Sequence, residues 1–340
     1  MLFVREHLEL IGGIDPAKTY ILSALNAGKH VVSANKDLIA VYGKELLDAA
    51  EAHHVDFLFE AAVAGGIPII RPLKECLAGN HMAEVMGIVN GTTNFILTEM
   101  TENGSDFDSV LKDAQAKGYA EADPTADVEG YDACRKIAIL TSLAYGKQLD
   151  FEDIYTEGIT KITDRDIKYA AKLKAKVKIF GSSKLAGDKV SAMVAPKLIT
   201  HDHPLYSVDG VFNAILVKGN MVGDVMFYGQ GAGKLATASA VVSDIMEASE
   251  NLDNNINVIW SDEKLELMPM DEVVSKFFVR VSGNKADNEA KIKELFGEVE
   301  FVDAGYDDET GFVTKDITEA VYENAAKEIG SVINKIRFDA

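Results

Sequence analysis

The sequence predicts an α/β protein: an incomplete doubly wound (Rossmann-like) domain, a mixed α/β region, and a C-terminal ferredoxin-like domain. Short strand and helix patterns alternate over residues 1–67, as in a parallel sheet. Apolar patterns typical of strands and of helices continue to residue 250. A βαββαβ order then occupies residues 277–338. We expect domains at residues 1–66, 67–250 and 276–340, with a linker at residues 251–275.

The first domain consists of βα units whose strands end at polar or glycine-rich turns. A strand over residues 7–10 leads to Gly12 and Gly13, and the next two strands end at Lys36 and Glu60. Ligands of parallel sheets bind beyond the carboxyl ends of the strands, so these four residues are candidates for a binding site. A lone lysine in a loop is as often a solvated side chain as a ligand-binding one, so both interpretations of Lys36 stay open.

Glycine-rich turns are the usual sign of a dinucleotide site. Such a domain normally opens with a strand and a G-x-G-x-x-G turn, and nothing before Gly12 fits this pattern. We therefore expect the chain to begin inside a doubly wound domain, to hold a dinucleotide weakly and to have little or no dehydrogenase activity. A later turn contains Gly229, Gly231 and Gly233 between a strand and a helix. It is either part of a cofactor site or a tight turn into a close-packed helix.

Two further turns have features of ligand sites. The segment from Glu60 to Pro68 is rich in small residues and contains two glycines, so its carbonyl oxygens are open to a hard cation. A close approach of helix and strand explains the same glycines. Residues 90–94, NGTTN, gather hydroxyls and amides at a helix start. This arrangement suits a carboxylate or phosphate, but helix capping explains it equally.

The most informative segment is the charged run over residues 118–136. Within it, Asp132 and Lys136 are four residues apart in a helix, beside an apolar stripe, and so lie at the edge of a core. The pair is either a surface ion pair, worth about 0.3–0.5 kcal/mol, or a lysine held near carboxylates in a cleft. In a cleft, such a lysine binds or protonates a substrate oxygen.

Composition excludes several classes of partner. The formal net charge is −20, which argues against nucleic acid or an anionic membrane surface. Cys76 and Cys134 both lie in apolar helical runs, which indicates buried thiols rather than a disulfide framework or a metal site. No apolar run is long enough to span a membrane. We expect a cytoplasmic protein.

Eight sequence blocks in fixed order resemble those of homoserine dehydrogenase. They are IGGIDPAK, GKHVVSANK, FEAAVAGGIPII, GIVNGTTNFIL, AKGYAEADPTADVEGYDACRK, EGITKIT, HPLYSVDGVFNAI and YGQGAGKLATASAVV. The resemblance implies a nucleotide domain and a substrate-binding and dimerisation domain, with residues 229–245 packing back on the former. It implies interconversion of L-homoserine and L-aspartate 4-semialdehyde with NAD(P), in threonine, methionine and isoleucine biosynthesis. It also implies a homodimer or homotetramer.

The resemblance further implies roles for particular residues. Lys136 is expected to donate a proton to the substrate oxygen, with Lys36 on its other side. The implied substrate-binding residues are Glu121, Asp127, Asp132 and Thr93. The implied cofactor-binding residues are Gly12, Gly13, Asn35, Lys36, Gly229, Gly231 and Gly233. A monovalent cation, expected to be Na⁺, is implied at Glu60, Val63, Gly65 and Ile67.

The C-terminal domain resembles the ACT module, which in many relatives senses an amino acid such as threonine. Residues 282–285, SGNK, replace the usual Pro-Gly turn, so an amino-acid effector and pairing of modules between subunits both stay open. A second function also stays open, that of a non-catalytic homologue acting as a subunit partner or an amino-acid-binding regulator. We expect the residue that distinguishes NAD from NADP to lie outside this sequence.

Overall fold

The computed structural model describes residues 6–251, 258 and 260–339. The first part is a parallel sheet of three strands in the order β1–β2–β3, connected by two helices. Its elements are β1 (Glu6–Glu9), α1 (Ala17–Asn26), β2 (His30–Ser33), α2 (Lys36–Ala52) and β3 (Phe57–Leu58). The predicted parallel βα units are therefore confirmed, and the carboxyl ends of all three strands lie at one edge of this sheet.

The central region begins after a π-helix, Pro72–Cys76. Its helices are α3 (Gly91–Asn103), α4 (Phe107–Ala116), α5 (Thr125–Val128), α6 (Tyr131–Tyr145), α7 (Asp164–Lys172) and α8 (Lys234–Glu250). Its strands are β4 (Met82–Ile88), β5 (Lys147–Gln148), β6 (Tyr155–Thr156), β7 (Ala175–Ala186), β8 (Lys189–Thr200), β9 (Phe212–Gly219) and β10 (Gly223–Gln230). The long strands pair antiparallel in the order β10–β9–β4–β7–β8, and α3, α6 and α7 pack on this sheet.

The C-terminal region shows the βαββαβ order that its sequence predicts. Its elements are β11 (Ser261–Lys264), β12 (Val274–Ser282), α9 (Lys285–Phe296), β13 (Val299–Val302), β14 (Glu309–Thr314), β15 (Ile317–Thr318), α10 (Glu319–Ile329) and β16 (Val332–Asp339). Phe277, Phe312 and Tyr322 form part of a separate apolar core between its sheet and helices. Because β16 pairs in parallel with β8, its strands extend the central sheet to eleven strands.

Part of the predicted linker, residues 251–275, lies outside the described residues, namely residues 252–257 and 259. The remainder packs against both preceding regions. Trp260 is buried, donates a hydrogen bond to Gln148 (2.8 Å) and contacts Gly43 in α2. This segment therefore bridges the first and central regions.

One prediction about the cysteines is wrong. Cys134 is buried, as expected, but Cys76 is exposed. Cys76 ends the π-helix, and the buried positions are taken by Leu73 within the helix and by Leu77 directly after it. The wider π turn changes which side chains face the core, and an apolar pattern read as an α-helix does not reveal that change.

Two features are absent from the described residues. No helix there is long and apolar enough to cross a membrane. Among the same residues, no group of three or more His, Cys, Asp and Glu side chains has the geometry to hold a metal ion.

Candidate active site

A cleft of about 690 Å³ lies beyond the carboxyl ends of β2 and β3, where ligands of parallel sheets bind. Its walls come from five places. Four of these are the turns after β2 and β3, the start of α3, the start of α6 with the segment before it, and the turn between β10 and α8, and a further part of the lining comes from the start of β9. The first sheet and the central region therefore both contribute side chains to one cavity.

A buried carboxylate between two lysines is the main charged feature of the cleft. Asp132, in the first turn of α6, accepts a hydrogen bond from Lys136 Nζ at 2.6 Å and lies 3.3 Å from Lys36 Nζ. Burial raises the pKa of Asp132, but the two ammonium groups and hydrogen bonds from Lys136 and Asn90 outweigh this and lower the pKa to about 2. Asp132 is therefore ionised near neutral pH.

Lys136 is held on two sides. Its Nζ donates to the carbonyl of Val89 at 2.8 Å and to Asp132, and its side chain is 12% exposed. An ammonium group has three N–H donors, so these two bonds leave one for a ligand. Of the two sequence interpretations, the structure therefore matches the lysine held in a cleft.

Asn90 is a residue whose part in this site the sequence analysis missed. It caps α3 by accepting from the backbone N–H of Thr93 at 2.9 Å, as the capping interpretation expected. Its Nδ2 also donates to Asp127 (2.7 Å) and to Asp132 (2.9 Å). Asn90 thus connects the two carboxylates. The NGTTN run was a signal for a capped helix but carried no information about these distant acceptors.

Asp127 and Asp132 have opposite electrostatic environments. Burial raises the pKa of Asp127, and the negative charge of Asp132 adds to this effect, whereas Asn90 and Lys136 oppose it. Asp132 has the closer ammonium groups and the lower pKa. The cleft therefore contains one carboxylate held firmly ionised and another that gains a proton more readily.

Two predicted substrate residues do not line this cleft. Thr93 is fully buried, and its hydroxyl lies within hydrogen-bond distance of Asn90. Its neighbour Thr92 lines the cleft instead and donates to the carbonyl of Tyr119 at 2.6 Å. Glu121 is exposed, and its backbone carbonyl accepts from Gln115. The substrate roles of Thr93 and Glu121 remain predictions.

The predicted cofactor residues fall into two groups. Gly231 and Gly233 line the cleft, and Gly233, with φ of 113°, adjoins the first residue of α8. Gly12 and Gly13 are exposed at the end of β1, outside the cleft lining. Asn35 is also outside the lining: it caps α2 and donates to the carbonyl of Gly13 at 2.6 Å.

The turn after β3, which contains Gly65, contacts the turn between β10 and α8, which contains Gly231. A Cβ on Gly65 would stand 2.5 Å from the carbonyl oxygen of Gly231, so only glycine permits this approach. The backbone N–H of Gly66 donates to Gln230, which precedes Gly231. Gly229, in contrast, packs beside Ile67 outside the cleft lining. The cation and cofactor turns predicted from sequence are thus neighbours in space.

The side chain of Glu60 is held by three backbone N–H groups. Its carboxylate accepts backbone N–H bonds from Ile69 (2.6 Å), Ile70 (2.7 Å) and Arg71 (2.8 Å). These three bonds occupy most of the acceptor capacity of the carboxylate, which makes the main-chain carbonyl of Glu60 the more available oxygen for a cation. Together with the predicted carbonyls of Val63, Gly65 and Ile67, this gives a set of neutral oxygen donors.

Asp244 in α8 lies directly behind Glu60. It accepts the backbone N–H of Glu60 at 2.9 Å and a hydrogen bond from Arg71 at 3.2 Å. Burial, reinforced by the negative charge of Glu60, raises the pKa of Asp244 to about 7, although the Glu60 amide and Arg71 oppose this. The folded protein therefore binds this proton more tightly than the unfolded chain does.

A pH-dependent stability follows from Asp244. Because its pKa is higher in the folded state, its contribution to stability is present in acid and is lost as pH rises through about 7. We expect the Asp244→Asn variant to lose less unfolding free energy than the wild type between about pH 5 and pH 8. Urea denaturation at both pH values measures the difference.

The control for this prediction is Asp339→Asn. Lys197 outweighs burial and lowers the pKa of Asp339, so Asp339 titrates below this pH range. This variant should retain the wild-type pH dependence. Identical pH dependence in wild type and Asp244→Asn would contradict the role given to Asp244.

The fold and the cleft place this chain among α/β proteins with a Rossmann-like NAD-binding domain and a second, mixed-sheet domain. The family model for homoserine dehydrogenase matches residues 68–246, and the model for the NAD-binding domain of homoserine dehydrogenase matches residues 8–60. The chain therefore belongs to the homoserine dehydrogenase family.

Individual relatives agree with this assignment. The homoserine dehydrogenase of Neisseria gonorrhoeae is 47% identical over 282 residues, covering 81% of this chain and 65% of the relative. That of Bacillus subtilis is 50% identical over 72% of this chain and 57% of its own length. The Synechocystis enzyme is 42% identical over 96% of this chain and 80% of its own length. The chain thus spans less than two thirds of the first two relatives.

Solved structures show the same fold. The homoserine dehydrogenase of Thiobacillus denitrificans superposes with a TM-score of 0.90 at 38% identity, covering 98% of this chain and 82% of that one. A hyperthermophilic archaeal homoserine dehydrogenase in complex with NADPH gives a TM-score of 0.63 at 32% identity, with 72% of each chain covered.

Proposed function

We propose that the protein is a homoserine dehydrogenase, interconverting L-homoserine and L-aspartate 4-semialdehyde with NAD or NADP. The observation that carries the proposal is the group of Lys136, Asp132 and Lys36 in a cleft at the strand ends of the nucleotide domain. Membership of the family supports it, as does the similarity to an archaeal homoserine dehydrogenase in complex with NADPH.

The residues of the cleft suit the two ends of the substrate. The carboxylates Asp127 and Asp132 attract an ammonium group, and Glu121 is proposed to add a third carboxylate. The ammonium groups of Lys136 and Lys36 attract the oxygen at the reacting carbon. A bound nicotinamide supplies the hydride during aldehyde reduction. Lys136 stabilises the negative charge that develops on the oxygen and then gives it a proton, completing the alcohol.

The cofactor is proposed to lie against the turn of Gly231 and Gly233. The close approach of Gly65 and Gly231 leaves backbone without side chains at this wall, which suits a planar ring. The other predicted contacts, Gly12, Gly13, Asn35 and Gly229, stay part of the proposal. They lie at strand ends of the first sheet or beside Ile67.

A monovalent cation, proposed to be Na⁺, would be held by the main-chain carbonyls of Glu60, Val63, Gly65 and Ile67. Because these turns contact Gly231, removal of the ion should loosen the cofactor wall. We expect replacement of sodium chloride by tetramethylammonium chloride at equal ionic strength to lower the melting temperature. Equal melting temperatures in both salts would argue against the cation.

Association of subunits and regulation belong to the same proposal. Met226 and Tyr228 are exposed on β10, an edge strand of the large sheet, which supports association into a homodimer or homotetramer. An amino-acid effector at the C-terminal domain and pairing of these domains between subunits remain alternative uses of that domain. A cytoplasmic location is likewise proposed.

The direct test is a spectrophotometric assay of homoserine oxidation with NAD and with NADP, each raised to millimolar concentration. Slow turnover that depends on homoserine is the expected result. The high concentration matters because sequence predicts weak binding of the dinucleotide. Binding of homoserine without turnover under any of these conditions would favour the non-catalytic homologue and overturn the proposal.

A further inference from the structure

One buried polar atom, on a residue that lines the cleft, has no hydrogen-bond partner in the described part of the chain. Asn213, the second residue of β9, is 1% exposed, and its Oδ1 accepts no hydrogen bond. Several other buried side-chain atoms in the described part of the chain also lack partners, but none of their residues lines the cleft. A buried amide oxygen without a donor is costly, which makes a ligand the natural partner.

The side chain of Asn213 is fixed by its neighbours. It stands opposite Gly229 in the β9–β10 ladder, and its Nδ2 lies 1.9 Å from where a Cβ on Gly231 would stand. Gly231 must therefore be glycine for the amide to occupy this position. On the other side, Oδ1 lies 3.6 Å from where a Cβ on Gly91 would stand. The amide is thus held between the proposed cofactor turn and the start of α3.

We propose that Oδ1 of Asn213 accepts a hydrogen bond from the carboxamide NH₂ of the bound nicotinamide and so orients its ring. This inference rests on the proposed function and adds a cofactor-binding residue to it. Asn213 and Val211 both line the cleft at the start of β9, so this contact comes from the central region rather than from the strand ends of the first sheet.

The neutrality of Asn213 favours this donor over the substrate's ammonium group. The same cleft offers ionised Asp132 and the carboxyl group of Asp127, and a cation binds a carboxylate more strongly than an amide oxygen. A carboxamide is neutral, so it loses less than an ammonium group does when it bonds to an amide oxygen in place of a carboxylate. The glycine backbone beside Asn213 also leaves room for a flat ring. A non-planar amino acid substrate has no need of such a flat surface.

The experiment compares two ligands that differ at one group. In the 3-acetylpyridine analogue of NADP, a methyl group replaces the amide nitrogen, so the substituent on the pyridine ring has no N–H to donate. Dissociation constants for NADP and this analogue are measured by calorimetry with wild type, Asn213→Ala and Asn213→Asp. We expect Asn213→Ala to weaken NADP binding about tenfold and to leave binding of the analogue nearly unchanged.

Asn213→Asp retains an acceptor oxygen and should still bind NADP more tightly than the analogue. Asn334→Ala is the control, because Asn334 is also buried but bonds to Lys161 and Asp166 in another part of the molecule. It should leave both dissociation constants unchanged. Melting temperatures of all variants establish that each is folded.

Three results would overturn the inference, and they differ from failure of the proposed function. Equal losses for NADP and the analogue in Asn213→Ala would assign Asn213 to the scaffold. No loss for either ligand would remove it from the site. A raised Michaelis constant for homoserine with unchanged NADP affinity would move its contact to the substrate. If wild type binds no nicotinamide dinucleotide at all, the proposed function itself fails.

Discussion

Replacement of Lys136 by alanine is expected to lower turnover by roughly two to four orders of magnitude, the usual contribution of a positioned proton donor. The variant loses the ammonium group of Lys136. In the wild type this group bonds to Val89 and Asp132 and has one further N–H for the substrate oxygen. Steady-state kinetics with homoserine and NADP at saturation measure the change, and circular dichroism establishes that the variant is folded.

The matched control is Lys293→Ala. Lys293 and Glu289 form an ion pair with the same four-residue spacing and the same 2.6 Å distance as Lys136 and Asp132, but on the exposed face of α9. Its loss should change turnover little, since an exposed pair contributes about 0.3–0.5 kcal/mol to a helix. Unchanged turnover in Lys136→Ala would remove Lys136 from the mechanism.

The contrast between these two pairs shows what a sequence reveals about a site. Spacing predicts both ion pairs, because residues four apart meet on a helix. It does not show which pair is buried. That difference comes from Asn90, 42 residues before Asp132, and from Lys36 at the start of α2. Only tertiary packing brings them together, so the local pattern leaves both interpretations of Lys136 open.

For other site residues, too, the sequence predicts the position in the chain but not which side chain faces the cleft. The strand ends at Lys36 and Glu60 are predictable from the βα alternation, and the fold places them beside the cleft. The choice between Thr92 and Thr93 depends on the rotation of α3 about its axis, which the NGTTN run does not define. Asn213 gives no local signal, because its significance lies in the absence of a partner.

The second large effect is expected for Asp132→Asn. We expect binding of homoserine to weaken about a hundredfold, because the loss of one member of a buried, hydrogen-bonded charge pair commonly costs about 2–5 kcal/mol. The pKa of Asp132 is about 2, so the wild-type side chain is ionised wherever the assay is run. The variant removes that charge at constant shape.

Affinity for NADP should change little in Asp132→Asn, because the proposed ring contacts are at Gly231 and Asn213. Calorimetric titration of each variant with homoserine and with NADP separates the two effects. The matched control is Asp209→Asn, since Asp209 also lies between two lysines, Lys176 and Lys178, each at 2.8 Å, but outside the cleft lining.

The comparison of the two aspartates distinguishes substrate binding from scaffold damage. Both variants leave two lysines without their carboxylate, so both should lose stability. Only Asp132→Asn should lose affinity for homoserine, because only Asp132 shares the cleft with Lys136 and Lys36. Similar losses of homoserine and NADP affinity in Asp132→Asn would mean that the carboxylate maintains the cleft rather than binding the substrate's amino group.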